Sequence, residues 1–377
     1  MNKRIVSLAA ALCIVFGLAS TAIAAGSMEN FAPVKTYAEN FKDVPKGEWY
    51  HDNVKTSYEY GFMVGINEEG TLFAPLADIK ICDIIVMASR MHRIYETGKN
   101  DLTVSGEKWY DSFVSYAVEN KIIADGDFDD YEAYATRGEM AYIFANALPE
   151  AEYDEKNEIA EIPDVSEDHK YYNEILKLYK AGITCGIDTH GTFVPDSNIS
   201  RSQAAAIMTR VAVKNLRIPF VQYKTVTIES DGQTVTFEAP ARFDSYTENG
   251  IDYLSDPATN FIVTIDYDAN DIYSGLQITD ILSADAVRQL YIDNFLQSDE
   301  NMLINGASVN SCSFGSVAGY KCMFSLSYEG IPIYADFYMF ISGNTLFEIA
   351  FTSDANDSFL QNIESSLRVN GRGPASS

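Results

Sequence analysis

Two helix starts carry a cation where a helix already presents positive charge. In "NISRSQAAAIMTR" (Asn198 to Arg210) Arg201 follows Ser200, and in "ATRGEMAYIFANAL" (Ala135 to Leu148) Arg137 follows Thr136. Gln203 and Glu139, each three residues after the hydroxyl, complete two capping boxes: the hydroxyl accepts from the third amide while the longer side chain reaches back to the cap. An arginine in the first turn opposes the helix dipole by a few tenths of a kcal/mol. Beside uncapped backbone N–H groups, however, a guanidinium attracts a carboxylate, and a bidentate charge-assisted contact contributes about 1.5–3 kcal/mol. The arrangement therefore suits an acidic ligand. The competing reading is a salt bridge from Arg137 or Arg201 to an acid of a neighbouring segment.

The elements that position these residues repeat. "FKDVPKGEWYHDNVKTSYEYGFMVGINEEGTLFAPLADIKICDIIVMASR" and "IPDVSEDHKYYNEILKLYKAGITCGIDTHGTFVPDSNISRSQAAAIMTR" hold register, and "KWYDSFVSYAVENKIIADGDFDDYEAYATRGEMAYIFANAL" keeps both ends of the pattern. Trp49, Trp109 and Lys170 recur at spacings of 60 and 61 residues. Each copy reads as helix, glycine-containing loop, helix. Apolar residues at three- and four-residue spacing mark the first helix, Gly61 or Gly182 ends it, and Phe73-Ala74-Pro75 or Phe193-Val194-Pro195 leads into the second. One copy buries too little apolar surface to stand alone, so the copies are expected to pack into a helical bundle of pseudo-threefold character.

These motifs, "FKDV…WY…FAP", "WY…ATRGEMA" and "IPDV…AGI…GTFVPDSNISRSQAAAIMTR", resemble S-layer homology repeats. The resemblance covers residues 38 to 215. It implies a three-pronged helical module that holds an exported protein noncovalently on secondary cell-wall polysaccharide, often polysaccharide bearing pyruvate ketals. A ketal carboxylate is the kind of anion that Arg137 and Arg201 suit, with Thr136, Ser200, Glu139 and Gln203 around them. Copy one departs from the pattern, because Lys80-Ile81-Cys82-Asp83 replaces the arginine and the hydroxyl cap; two competent grooves are expected instead of three. In copy two Lys121 stands where Gly61 and Gly182 sit. Trp49 and Trp109, with Tyr50, Tyr110 and Tyr171, suit stacking on sugar faces or packing between helices.

The chain has 54 acidic and 27 basic residues and a net charge of −27, which argues against nucleic acid and anionic lipid as partners. Its first residues, "MNKRIVSLAAALCIVFGLASTAIAAGS", have the charged, apolar and small-residue order of a secretory signal peptide over 1–25, with a retained anchor as the alternative. Export to the cell surface and wall is the expectation, with no membrane insertion after cleavage. Cys82, Cys185, Cys312 and Cys322 form no disulfide framework; Cys312 and Cys322 flank a hairpin turn and either bridge it or sit as small buried hydrophobes.

Beyond "KNLRIPF" the pattern changes to β-branched and aromatic alternation. "YKTVTIES-DG-QTVTFEAP" reads as a hairpin, "NFIVTIDY" as a strand, and "SADAVRQLYIDNFLQ" as a helix capped near Ser283. Four further strands and the helix "ANDSFLQNIESSLRV" complete an antiparallel α+β domain with helices on one sheet face. The element order is similar to the PsbP-like α+β fold, whose members are mostly binding or assembly modules. The fold class is thus multidomain: an all-α repeat module followed by an α+β domain. The expected boundaries are repeats at 38–97, 101–150 and 160–217, the α+β domain at 221–370, and a flexible tail at 371–377.

No histidine follows Val221, which excludes Ser-His and Cys-His nucleophile systems and histidine-held zinc from this domain. His51, His92, His169 and His190 lack metal-ligand spacing, and "DYDAND" (Asp266, Asp268, Asp271) misses the glycine and glutamate of a calcium loop. No catalytic residue, metal or cofactor is assigned. A wall-anchored hydrolase using a carboxylate pair, or an S-layer lattice component, are the alternative readings. The partner of the C-terminal domain is not legible in the sequence.

Overall fold

The computed structural model describes residues 26–256, 261–298, 301–354 and 358–376. The expected signal peptide at 1–25 lies outside them. The chain forms two compact units, the first ending at Phe220 and the second beginning at Val221, with Glu158–Ala160 belonging to the second.

The first unit holds α1 (His51–Glu59), α2 (Ile81–Thr97), α3 (Asp111–Glu119), α4 (Arg137–Ala145), α5 (Tyr172–Lys180) and α6 (Arg201–Ala212). They make three helix–loop–helix segments. The first helix of each segment stops in the same way, with a left-handed residue just past its end: Gly61 at φ 72°, Lys121 at φ 60° and Gly182 at φ 71°. Lys121 takes the conformation its glycine counterparts take, at a cost of about 1 kcal/mol for a residue with a Cβ. Asp43 and Asp164 pin the loops, each carboxylate accepting two backbone N–H groups, from Phe73 and Ala74 at 2.9 and 2.7 Å and from Phe193 and Val194 at 2.8 and 2.6 Å. The grip holds Ala74 and Val194 at φ 57° and 59°, a region where a β-branched residue is strained.

A cyclic set of backbone hydrogen bonds joins the three segments. The amide of Ile79 donates to Ile199, that of Ile199 to Ala135, and that of Ala135 back to Ile79, at 3.1, 3.0 and 2.8 Å. All three residues are buried. Around this ring each second helix begins inside the loop of another segment. Arg137 and Gly138 donate to Ser197 and Pro195, Arg201 and Ser202 to Ala77 and Pro75, and Ile81 and Cys82 to Ala133 and Tyr131.

The second unit contains β1 (Tyr223–Ser230), β2 (Gln233–Pro240), β3 (Asp244–Glu248), β4 (Ile251–Ser255), β5 (Ile262–Ala269), α7 (Ile278–Ile281), α8 (Ala284–Ser298), β6 (Met302–Phe314), β7 (Val317–Tyr328), β8 (Ile331–Ser342), β9 (Thr345–Ser353), α9 (Ser358–Ser365), β10 (Arg368–Val369) and β11 (Ala375–Ser376). A three-stranded sheet runs β1-β2-β10, and an eight-stranded sheet runs β11-β6-β7-β8-β9-β5-β4-β3, antiparallel throughout. Asp231 and Gly232 turn β1 into β2 with φ 47° and 70°, the left-handed pair that a tight hairpin requires.

Two expectations for this unit are corrected, and of the two readings of Cys312 and Cys322 the structure shows the small buried hydrophobes. Both faces of the large sheet are covered, not one. Tyr338, Phe340, Phe347 and Phe351 pack beneath the small sheet and Ile363 of α9, while Phe337, Met339 and Ile341 on the other face pack with Ile278 of α7 and Tyr291 of α8. Cys312 and Cys322 are free thiols on opposite faces: Cys312 pairs with Gly319 and Cys322 with Val309, an offset of three residues along a strand whose side chains alternate. Within the expected flexible tail, Ala375 and Ser376 instead pair with Ser313 and Cys312 along the outer edge of β6.

Candidate functional site

Both capping boxes form. Thr136 Oγ1 accepts from the Glu139 amide at 3.2 Å and Glu139 Oε2 from the Thr136 amide at 2.8 Å; for Ser200 and Gln203 the distances are 3.3 and 3.0 Å. The amides expected to stand open beside the arginines do not. The first two N–H groups of α4 and of α6 are occupied by carbonyls of another segment's loop, because each helix start is threaded into the turn that follows Pro195 or Pro75. An anion at these positions meets side chains, not a backbone cradle.

The arginines are also more deeply engaged than expected. Arg137 is only 6% exposed; its Nε donates to the Phe193 carbonyl at 2.6 Å, and its guanidinium lies 4.7 Å from the Phe193 ring centroid. Arg201 repeats this with Phe73, at 2.8 and 4.9 Å, and donates a second bond from Nη2 to the Val64 carbonyl at 3.0 Å. Neither forms the salt bridge that was the competing expectation. Burial pushes both guanidinium pKa values down; at Arg137 Tyr179 and Asp164 oppose it, and at Arg201 Asp83 and Asp43 do.

Arg137 lines a pocket of about 360 Å³ with Trp49, Thr184, Ile187, Gln203 and Arg210. Trp49 is 58% exposed and stands edge-on to buried Tyr50. Arg210 donates from Nη1 to the Ile183 carbonyl at 3.1 Å, and burial lowers its pKa. Among the described residues, no carboxylate lies within ion-pair distance of Arg137 or Arg210, and the terminal nitrogens of Arg137 have no protein partner. Two desolvated cations thus face one cavity in a chain with twice as many acids as bases.

Of the residues singled out in the sequence, Arg137, Gln203 and Trp49 come together here. Thr136, Ser200 and Glu139 serve as caps. Arg201 sits at the equivalent place in another segment, and Trp109 stands edge-on to Tyr110, outside this pocket. Tyr50, Tyr110 and Tyr171 are core residues. Arg210 was missed, although it lies nine residues after Arg201, as Arg90 lies nine after Ile81.

The second unit has a pocket of about 530 Å³ lined by Ser308, Lys321, Tyr334, Asp336, Gln361 and Glu364. Lys321 pairs with Glu364 and lies 3.5 Å from Asp336, and the Tyr338 hydroxyl donates to Glu364 at 2.9 Å. Burial, then the neighbouring Glu364, pushes the Asp336 pKa up to about 6 against the pull of Lys321. The two carboxyls converge on one ammonium, that of Lys321, whereas the carboxyls of a glycosidase pair stand roughly 5–9.5 Å apart around a substrate.

Residues 161–205, from the turns that precede α5 through the first turn of α6, match the family model of the S-layer homology domain. The chain therefore contains an S-layer homology domain, and domains of this family associate noncovalently with the cell wall by binding its polysaccharide. No curated protein matches the chain. No helix among the described residues is long and apolar enough to cross a membrane.

Proposed function

We propose that the three helix–loop–helix segments are three S-layer homology repeats forming one helical module, and that this module anchors an exported protein to secondary cell-wall polysaccharide. The Arg137–Arg210 pocket takes an acidic substituent of the glycan, a pyruvate ketal, while Trp49 offers a face to the sugar. One observation carries the reading: two guanidiniums without a carboxylate partner face an open pocket in a strongly acidic chain. A carboxylate on those donors forms charge-assisted bonds worth about 1.5–3 kcal/mol, and the cations are already desolvated to receive it. The C-terminal unit is a noncatalytic PsbP-like module displayed by the anchor; the engagement of both Asp336 and Glu364 by Lys321 supports that assignment over a hydrolase. Retention on purified wall sacculi tests the anchor. The protein should bind native sacculi and be lost from sacculi stripped of ketals; equal retention on both defeats the proposal.

A further inference from the structure

The repeat architecture presents one position three times, with a different residue each time: neutral once and acidic twice. The third residue after the helix N-cap is Gln203 in α6, Asp83 in α2 and Glu139 in α4. Each helix start leans on the next segment around the ring: Arg137 on the Phe193 carbonyl, Arg201 on that of Phe73, and the Ile81 amide on the Ala133 carbonyl. The segment that receives a helix start also supplies the residue that faces it. Gln203 shares the pocket of Arg137, Asp83 is the first carboxylate to act on Arg201, and Glu139 holds the corresponding place in the segment that receives Ile81. Nine residues after these helix starts stand Arg210, Arg90 and Asn146. Arg210 opens on the pocket, whereas Arg90 is laid over the Phe113 ring, 5.2 Å from its centroid.

The three places are therefore electrostatically unequal. The first has two guanidiniums and a neutral amide, the second has Arg201 with a carboxylate beside it, and the third has a carboxylate and no guanidinium. We infer that the protein has one anion-accepting groove, formed by Arg137, Gln203 and Arg210, and that Asp83 keeps the Arg201 position closed to acidic ligands. This deepens the wall-anchoring reading and rests on it. A ligand carboxylate approaching Arg201 meets the Asp83 carboxylate, and like charges in a partly desolvated site repel strongly. Asp83 is half-buried and occupies the third position of α2, the place from which Gln203 and Glu139 accept from the amides of their N-caps. The chain is univalent toward the ketal, not bivalent as the two arginine motifs alone imply.

Calorimetric titration of the full chain with a pyruvate-ketal methyl glycoside, against the same glycoside without the ketal, should give one site per chain. Amide NMR shifts should gather at Thr184–Ile187 and spare Val64–Phe73. Asp83→Asn keeps a side-chain acceptor at that place and removes the charge; it should give two sites per chain and extend the shifts to Val64–Phe73. Asp83→Gln, which copies the residue at the open groove, serves if the asparagine variant folds poorly. Arg210→Gln should weaken the original site by roughly tenfold or more. Two or three sites in the unaltered protein, or one site in a folded Asp83 variant, overturns the single-groove inference while leaving wall anchoring intact. No ketal-dependent binding at all overturns both.

Discussion

The two pockets use charge in opposite ways. In the helical unit Arg137 and Arg210 face a cavity with no acid at ion-pair distance, whereas in the sheet unit Lys321 is shared by Asp336 and Glu364. The first arrangement is incomplete without an outside anion. The second closes on itself: Lys321 already has its acids, and burial together with their crowding raises the Asp336 pKa. Buried charge marks a binding place when the protein withholds the partner, and burial alone does not distinguish the two cases.

The largest test of this contrast removes the support beneath Arg137. Asp164→Ala deletes two charge-assisted hydrogen bonds and frees the turn that carries the Phe193 carbonyl, so the helical unit should lose about 3 kcal/mol. Trp49 and Trp109 are the chain's two tryptophans and both lie in that unit, so tryptophan fluorescence during urea unfolding reports it selectively. A loss under about 1 kcal/mol would show that the loop holds without its carboxylate.

Arg137→Ala comes next, at about 2 kcal/mol in the same assay, because a buried side chain leaves the Phe193 ring and carbonyl without a partner. An exposed arginine would change stability by less than about 1 kcal/mol, so a larger loss reports the burial of this one. An unchanged midpoint would make Arg137 a ligand-binding group with no structural share.

In the sheet unit Asp336→Asn should stabilise by about 1–2 kcal/mol at pH 8 and by almost nothing at pH 4. The sign follows from a folded-state pKa of about 6 against an ordinary value of 3.8. The folded state then holds the proton more tightly than the unfolded chain, so the aspartate's contribution becomes destabilising as pH rises from about 4 through 6. Hydrogen exchange in β7 and β8 across that range would measure it, and a pH-independent difference would show the pair fully neutralised by Lys321.

The smallest effect sharpens the comparison among segments. Lys121→Gly should stabilise the helical unit by up to about 1 kcal/mol, since Lys121 is exposed and shares the left-handed φ of Gly61 and Gly182. A destabilised variant would mean that the three backbones differ, and that the grooves cannot be ranked by side-chain charge alone.

Local chemistry was legible in the sequence: the repeat spacing, both capping boxes and the Asp231-Gly232 turn involve neighbours a few residues apart. What escaped was set by long-range pairing. The N–H groups of α6 are filled by carbonyls more than a hundred residues earlier, at Ala77 and Pro75, which no periodicity reveals. Arg210 looked like an ordinary helix residue until the fold brought it to Arg137. The β3–β4 hairpin turns at Asn249-Gly250, a strong signal, but β3 is exposed along its whole length and lacks the alternation that marks a strand. The opposite facing of Cys312 and Cys322 needed the register of β6 against β7, where a shift of one residue reverses every side chain.

The amides of Ile79, Ile199 and Ala135 form a circuit, and a circuit has no first or last member. A protease cut in the connection between two segments leaves all three links in place, so a nicked module should remain assembled and keep its grip. Loss of a whole segment instead strips a donor from one survivor and an acceptor from the other, which makes three the smallest number of copies that can close.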